Sequence, residues 1–471
     1  MSCSHLRGSV GYFRAPRCGF FNLDCRSLRP LRLGLLMTKV PLPWYSAEYS
    51  FSFTMKVHCR MKPLLACLLG TALLFAADQP PLFSEIGTIE EGLSEITGLR
   101  FTRQVPYAVI NKEQLRRYLE DRIKESVKPA DLRAEELTLK LLGLIPPEFD
   151  LRQNTVDLLT EQAAAFYDYN KRRLYVLEGS GAGAEERMAL VHELAHALAD
   201  QHFPLRKYIR EGLQSDDGST ARLAVMEGQA SWLMAAYLSK LGGGPAEVPD
   251  SVLQLMTNSI AGSTEQYPVF SKAPPYIRES LVFPYSDGML FQNAVFKKLG
   301  REAFSEVFQR APASTQQIIH PDRYLARSTP AVPDPPAVPA PREMHKLAEG
   351  SLGEFDFRVL LSQYTSKDES EQASAHLAGG SYALFEYKHD KLPVLAFASN
   401  WDSEESAAKY LELYRRVLEG KWKKPEIASQ TSMEIAGHGD SGYFRAWREG
   451  TSVYQLEGLH SPIPGPQSPV H

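Results

Sequence analysis

Beyond residue 77 the chain has no cysteine. All five (Cys3, Cys18, Cys25, Cys59 and Cys67) fall in the first 77 of 471 residues. The long remainder can form no disulfide and no thiolate metal site. A charge excess is also missing: the net is −4, which gives no electrostatic case for nucleic acid as a partner. No internal repeat is found. The composition, 44% hydrophobic, 23% charged and 10% aromatic, excludes a wholly disordered, collagen-like or coiled-coil chain. The length suits two or three domains, each able to bury its own core.

The averages hide an asymmetry. Residues 1–77 hold ten of the 52 Lys and Arg but two of the 56 Asp and Glu. Met61-Lys62 is a short basic start, Leu64 to Phe75 is small and apolar, and Ala76-Ala77 precedes Asp78. This order reads as the three regions of a signal peptide at 61–77, and the run is too short for a comfortable membrane span. No stable span is expected after cleavage, and the location is secreted or periplasmic. Residues 1–60 show no helix or strand period. They read as an over-extended start, with Met61 or Met55 the real one. The alternative is a disordered tail followed by a membrane anchor.

Residues 78–327 read as one domain. Val105 to Ile110 is β-prone, and Asn111 can cap a helix from Lys112. A second helix covers about 134–144. Ala164–Tyr167 and Arg173–Leu177 flank a turn and predict a hairpin. Strong helices follow over about 185–202 and 220–241, with others at 250–262, 286–299 and 301–309. Residues 328–345 form a Pro-rich linker or extended strap, with six prolines between 328 and 341. The order β-β-α-β-β then predicts a smaller α+β domain over 346–460: strands at 381–388, 392–399, 442–447 and 451–456, and a helix at 403–418. Residues 461–471 read as a frayed tail.

The chemistry concentrates in Leu190-Val191-His192-Glu193-Leu194-Ala195-His196. Four residues apart on a helix, His192 and His196 project from one face, which suits two nitrogen ligands on one zinc ion. Glu193, beside that face, can take a proton from zinc-bound water and return it to the leaving amine. Two structural histidines with a chance glutamate would give the same string. However, three polar residues in an apolar helix are costly without a reason, and a metal supplies one.

The third ligand has two candidates. His202 stands ten residues after His192, but on a straight helix it lies on another face. Ala199 occupies the position where a glycine would break the helix and bring that histidine round. His202 therefore reads as a helix-end hydrogen-bonding residue. Glu227 is the better candidate. It lies in the most apolar part of the 220–241 helix, where a lone acid needs a partner or a metal. Two His, one Glu and an open position make a catalytic zinc pattern. A pair with Arg222 is the plainer alternative.

His192 to Phe203 and Glu227-Gly228-Gln229-Ala230 resemble the gluzincin class of zinc metallopeptidases. More closely, they look like a bacterial group of uncharacterised metallopeptidases with H-E-L-x-H-A-L-x-D-Q-H-F followed by E-G-x-A. Weaker likenesses are Phe166-Tyr167-Asp168, Phe283-Pro284-Tyr285 with Gly288, and Ser314 to Pro321; the resemblance covers about residues 95–325. It implies an α+β, zincin-like catalytic domain, with a small sheet and two ligand-bearing helices around zinc. It also implies a peptide or protein substrate, held by an edge strand at 164–177. Tyr285 and His320 become candidate donors to the oxyanion, and Arg278 and Arg323 candidate partners for a substrate carboxylate. Ser231 stands where some members place an acid that orients a ligand histidine. Asp200 is either the acceptor in that role or a helix-end charge.

The expectation is therefore a secreted zinc peptidase with His192, His196 and Glu227 on the metal and Glu193 as base. Its rivals are a catalytically inactive, zinc-stabilised protein and a cell-envelope peptide-binding module.

Overall fold

The computed structural model describes residues 81–463, apart from 163, 180–182 and 263–266. The signal-peptide segment, the residues before it and the tail from 464 lie outside the described residues. The architecture is mixed helix and sheet, with segregated sheets as α+β requires.

The N-terminal region opens with helix α1 (Ile86–Thr97) and strand β1 (Tyr107–Ile110). Helix α2 (Lys112–Ser126) starts in a capping box: Asn111 accepts from the Gln114 N–H at 2.9 Å, and Gln114 accepts from the Asn111 N–H at 2.8 Å. Helices α3 (Pro129–Leu142) and α4 (Leu151–Gln162) follow. The hairpin forms as expected from β2 (Ala165–Asp168) and β3 (Arg173–Leu177). Its turn is held by the Asp168 carboxylate, which accepts from the Asn170 N–H at 2.9 Å. β3 pairs in parallel with β1 and antiparallel with β2, so β2 is an edge strand of a three-stranded sheet.

Helix α5 (Ala184–His202) packs on β2 and carries the H-E-x-x-H segment. After α6 (Leu205–Gly212), α7 (Asp216–Leu241) carries Glu227; Ser215 caps it, so it starts one turn before the expected residue 220. Both α5 and α7 are buried through most of their length, which explains their near-continuous Leu, Ala and Val. Helices α8 (Asp250–Gly262) and α9 (Pro268–Lys272) lead to α10 (Pro275–Leu299). The expected helix at 286–299 is the second half of α10, which continues through Pro284.

α7 and α10 pack with exceptional closeness. A Cβ built on Gly228 would lie 2.1 Å from the carbonyl carbon of Gly288. Further along, the Trp232 indole N–H donates to Asn293 Oδ1 at 3.0 Å. Partners advance together on the two helices, so they run parallel. Short helices α11 (Ala303–Gln309), α12 (Thr315–Ile319) and α13 (Pro321–Leu325) complete this region.

The C-terminal sheet is antiparallel, with seven strands rather than the four expected. They are β4 (Met344–Leu352), β5 (Leu377–Tyr387), β6 (Pro393–Trp401), β7 (Glu426–Gln430), β8 (Glu434–Gly439), β9 (Gly442–Glu449) and β10 (Ser452–Leu459), in the order β4-β5-β6-β10-β9-β8-β7. Between them lie α14 (Glu354–Ser362), α15 (Lys367–Ser374) and α16 (Glu404–Lys421). The Pro-rich segment runs along the sheet. The Ala331 N–H donates to the Ala378 carbonyl at 2.8 Å, and Val338 is buried beside Val394 and Leu456.

One apolar cluster continues through both regions, from Phe83 to Val453. Where they meet, the N-terminal turn of α7 is clamped. Asp217 accepts from the N–H and hydroxyl of Thr315 at 2.8 and 2.6 Å, and its own N–H donates to Ser351 Oγ at 3.1 Å. Among the described residues no helix is long and apolar enough to cross a membrane.

Candidate metal centre

The helix spacing of His192 and His196 turns both rings to one side of α5, and α7 brings Glu227 against them. His192 Nε2 lies 3.0 Å from Glu227 Oε2, His196 Nε2 lies 3.2 Å from that oxygen, and the two Nε2 atoms are 3.1 Å apart. The rings stand edge to face at 82°. Three donor atoms thus converge from two helices. The close Gly228–Gly288 approach brings α10 in from behind, and Tyr285 stacks on His192 with centroids 5.8 Å apart. His192, Glu193 and His196 also form a compact buried group, each offering one ligand atom within 4.8 Å of the others.

Glu193 faces the hairpin. One of its oxygens accepts the main-chain N–H of Tyr167 at 2.5 Å. In the β2–β3 ladder, Phe166 pairs with Tyr175 and the Ala164 carbonyl accepts from Leu177, so the Tyr167 N–H points off the sheet edge. This contact had no signature beyond the weak Phe166-Tyr167-Asp168 likeness, because its donor is backbone. At its other end Tyr167 gives its hydroxyl to Asp200 Oδ2 at 3.0 Å, while Asp200 Oδ1 accepts the Leu205 N–H at 2.9 Å. Asp200 is therefore neither a solvated charge nor the acceptor for a ligand histidine. It joins the hairpin to α5 and α6.

The electrostatics follow from burial. His192, Glu193, His196 and Glu227 are all 6% exposed or less. For Glu227, burial favours the protonated acid, but His196 and His192 outweigh it and hold the carboxyl well below its ordinary value. Burial likewise opposes charge on His196, and Glu227 and Glu193 overcome it and push the imidazole up. Burial wins at His192, which is pushed down, and at Glu193, which is pushed up to about 8, with His196 only partly opposing it. The Tyr285 hydroxyl is pushed well up, first by burial and then by the charges of Glu227 and Glu193.

The donor set suits a metal ion. Tetrahedral ligands at about 2.0–2.1 Å from zinc stand about 3.3 Å from one another, close to the separations seen here. Glu227 Oε1 and His192 Nδ1 are buried without a hydrogen-bond partner in the structure. A buried carboxylate aimed at two imidazoles that point their nitrogens at each other is costly unless something satisfies all three. The group could hold a metal ion.

Other sequence-derived candidates lie elsewhere. The His202 ring contacts the Arg100 carbonyl at 2.9 Å, at the end of α5. Arg222, the plainer partner for Glu227, donates instead to the Tyr208 carbonyl at 2.8 Å. Tyr285 does join the cluster. His320 does not. It pairs with Glu354 at 2.9 Å near the N-terminal end of α7, whose Asp217 is about 15 Å along the axis from Glu227. Its expected role as an oxyanion donor is thereby corrected. Arg278 and Arg323 are committed to main-chain carbonyls of Ala273 and Ala375.

Comparison with known proteins adds little to this geometry. A family model described as a domain of unknown function, DUF8575, matches residues 342–462, the C-terminal sheet alone. A comparison of the sequence with curated proteins finds no match. Among solved structures, the chain is similar to one from Chloroflexus aurantiacus described as a "putative hydrolase with a novel fold". The similarity is 18% identity over 52% of this chain and 88% of that one, with a TM-score of 0.35.

Proposed function

We propose that this chain is a zinc-dependent peptidase of the gluzincin kind, exported through the segment at 61–77, with zincin-like helices α5 and α7 around the metal. The observation that carries the reading is the convergence of His192 Nε2, His196 Nε2 and Glu227 Oε2 within 3.2 Å, with Glu193 on the same helix. Those three residues would hold a zinc ion, which would supply a Lewis acid and lower the pKa of a water molecule toward neutral. Glu193 takes the proton of the attacking water and passes it to the leaving amine. The Tyr167 N–H holds that carboxylate in place and must share or release it as the proton arrives. Tyr285, stacked on His192 and hydrogen-bonded to Glu227, would turn its hydroxyl to the oxygen that gains charge. The substrate class is a peptide or protein.

Burial of the whole cluster favours a second reading, a zinc that only stabilises the fold. The two differ in what Glu193 is for. Metal content by mass spectrometry comes first, on wild type and Glu227→Ala. About one zinc per chain, lost in the variant, is expected for a three-ligand site. Cleavage of a mixed peptide library, abolished by Glu193→Gln with zinc retained, supports the peptidase. Zinc without turnover supports the structural ion. No metal after zinc supplementation overturns both.

A further inference from the structure

Two arginines stand beside Asp200 near the turn end of the edge strand, each paired with it at ion-pair distance only. Arg103 Nη2 lies 4.0 Å and Arg172 Nε 3.8 Å from Asp200 Oδ2, a carboxylate 2% exposed, while their own side chains are 43% and 55% exposed. Those separations are ion-pair contacts and too long for hydrogen bonds. Among the described residues neither guanidinium donates a hydrogen bond. Asp200 has no need of both. Its oxygens already accept from Tyr167 and Leu205, and one cation balances its charge. Two guanidiniums beside one carboxylate leave an excess positive charge and two open donor forks, the geometry that receives a carboxylate in bidentate fashion.

Both arginines are positioned by their backbones. The Gln201 side chain accepts the Arg103 N–H at 3.1 Å and donates to its carbonyl at 2.9 Å, tying it to α5. Arg172 sits in the hairpin turn with φ of 52°, a left-handed conformation that orders the turn behind β2. The pair also has a fixed relation to the metal centre. Asp200 is one helical turn beyond His196, about 6 Å along α5. Tyr167 spans the same gap, its N–H on Glu193 and its hydroxyl on Asp200. An anion held by the two forks lies roughly 10 Å from the ligand cluster, about three residues of extended chain.

We propose that Arg103 and Arg172 form an anion-recognition site beside the metal centre, selecting peptides with a carboxylate about three residues from the bond that is cut. The carboxylate is either the chain end or an Asp or Glu side chain. The inference rests on the peptidase reading for its substrate, but the site can be tested without turnover.

The experiment uses the zinc-loaded chain carrying Glu193→Gln and three fluorescein-labelled peptides of one neutral sequence. The first ends in a free carboxylate, the second in an amide, and the third in an amide with one Asp near that end. Binding is read by anisotropy. At least one carboxylate peptide is expected to bind about tenfold tighter than the neutral amide, the worth of one charge-assisted bidentate contact. Preference for the first alone identifies the chain end; preference for the third identifies the side chain. R103Q/R172Q should abolish the preference with zinc content unchanged. If that variant fails to fold, R172Q, which leaves Arg103 beside Asp200, should reduce it at least threefold. Equal binding of all three peptides, or a preference that survives loss of the arginines, overturns the proposal. Failure of the peptidase reading shows separately, as peptides left intact by the wild type.

Discussion

The residues that matter most differ in what they would lose. Glu227→Ala removes one of three converging donors and leaves two buried imidazoles facing each other, so metal content measured by mass spectrometry should fall severalfold or more. His202→Ala should keep the metal, because its partner is the Arg100 carbonyl; its cost is that of one hydrogen bond, about 1 kcal/mol by denaturant titration. Glu193→Gln keeps the shape and loses the proton acceptor. On the proposed peptidase reading, turnover should drop about 10²–10⁴-fold, with zinc retained. His192, Glu193 and His196 were legible in the sequence because an i, i+4 spacing is local: once the helix forms, the face is fixed. Tyr285 and His320 could not be told apart in the same way. Both follow apolar stretches, and only the packing of α10 beside α7 sets one on His192 and the other on Glu354. Tyr167 was illegible for a different reason, since what it contributes is an N–H that every residue but proline has.

Between elements, the α7–α10 contact sets the geometry of the site. Gly228→Ala would put a methyl 2.1 Å from the Gly288 backbone, where no flexible side chain can yield. The helices must separate, and the stability lost should be about 1–3 kcal/mol or more, visible as a lower denaturation midpoint. Metal content should fall with it, because the same displacement carries Glu227 from the histidines. Helix α10 also shows a limit of local reading. Pro284 removes one helical N–H and ordinarily ends a helix, yet α10 runs through it well before the expected 286, with Phe283, Pro284 and Tyr285 all buried. In the C-terminal sheet the four apolar strands and α16 were legible by alternation and by the Ser403 cap. β7, Glu426 to Gln430, is largely exposed and carries no such alternation; β4 mixes Lys, Glu and Gly behind a Pro-rich run. Both are strands because a neighbour's edge recruits them.

Across the whole molecule, the join between the two regions is built from buried acids. Asp217 is pushed up to about 7 and Asp356 to about 6, each chiefly by burial, with hydrogen bonds from Thr315 to Asp217 and from Gly353 to Asp356 only partly opposing it. The ordinary aspartate value is 3.8, so between that pH and about 7 the folded chain binds more protons than the unfolded one. The stability these groups contribute is fully present below about pH 4 and is lost as pH rises through 6 to 7. Asp217→Asn and Asp356→Asn should each flatten that fall and gain on the order of 1–2 kcal/mol at pH 8, read from denaturation midpoints across pH. The sequence hid this join, since Asp217 reads as an ordinary helix-start acid and only the docked sheet removes it from water. The same enclosure governs the metal cluster, where no ligand side chain is more than 7% exposed. If the cluster holds zinc, a chelator and a peptide substrate alike must wait for the structure to part around it, so the rate of zinc removal should level off as chelator concentration rises. That plateau should equal the opening rate that amide exchange reports along α5 and α7, making the bound ion a clock for the breathing of the protein around it.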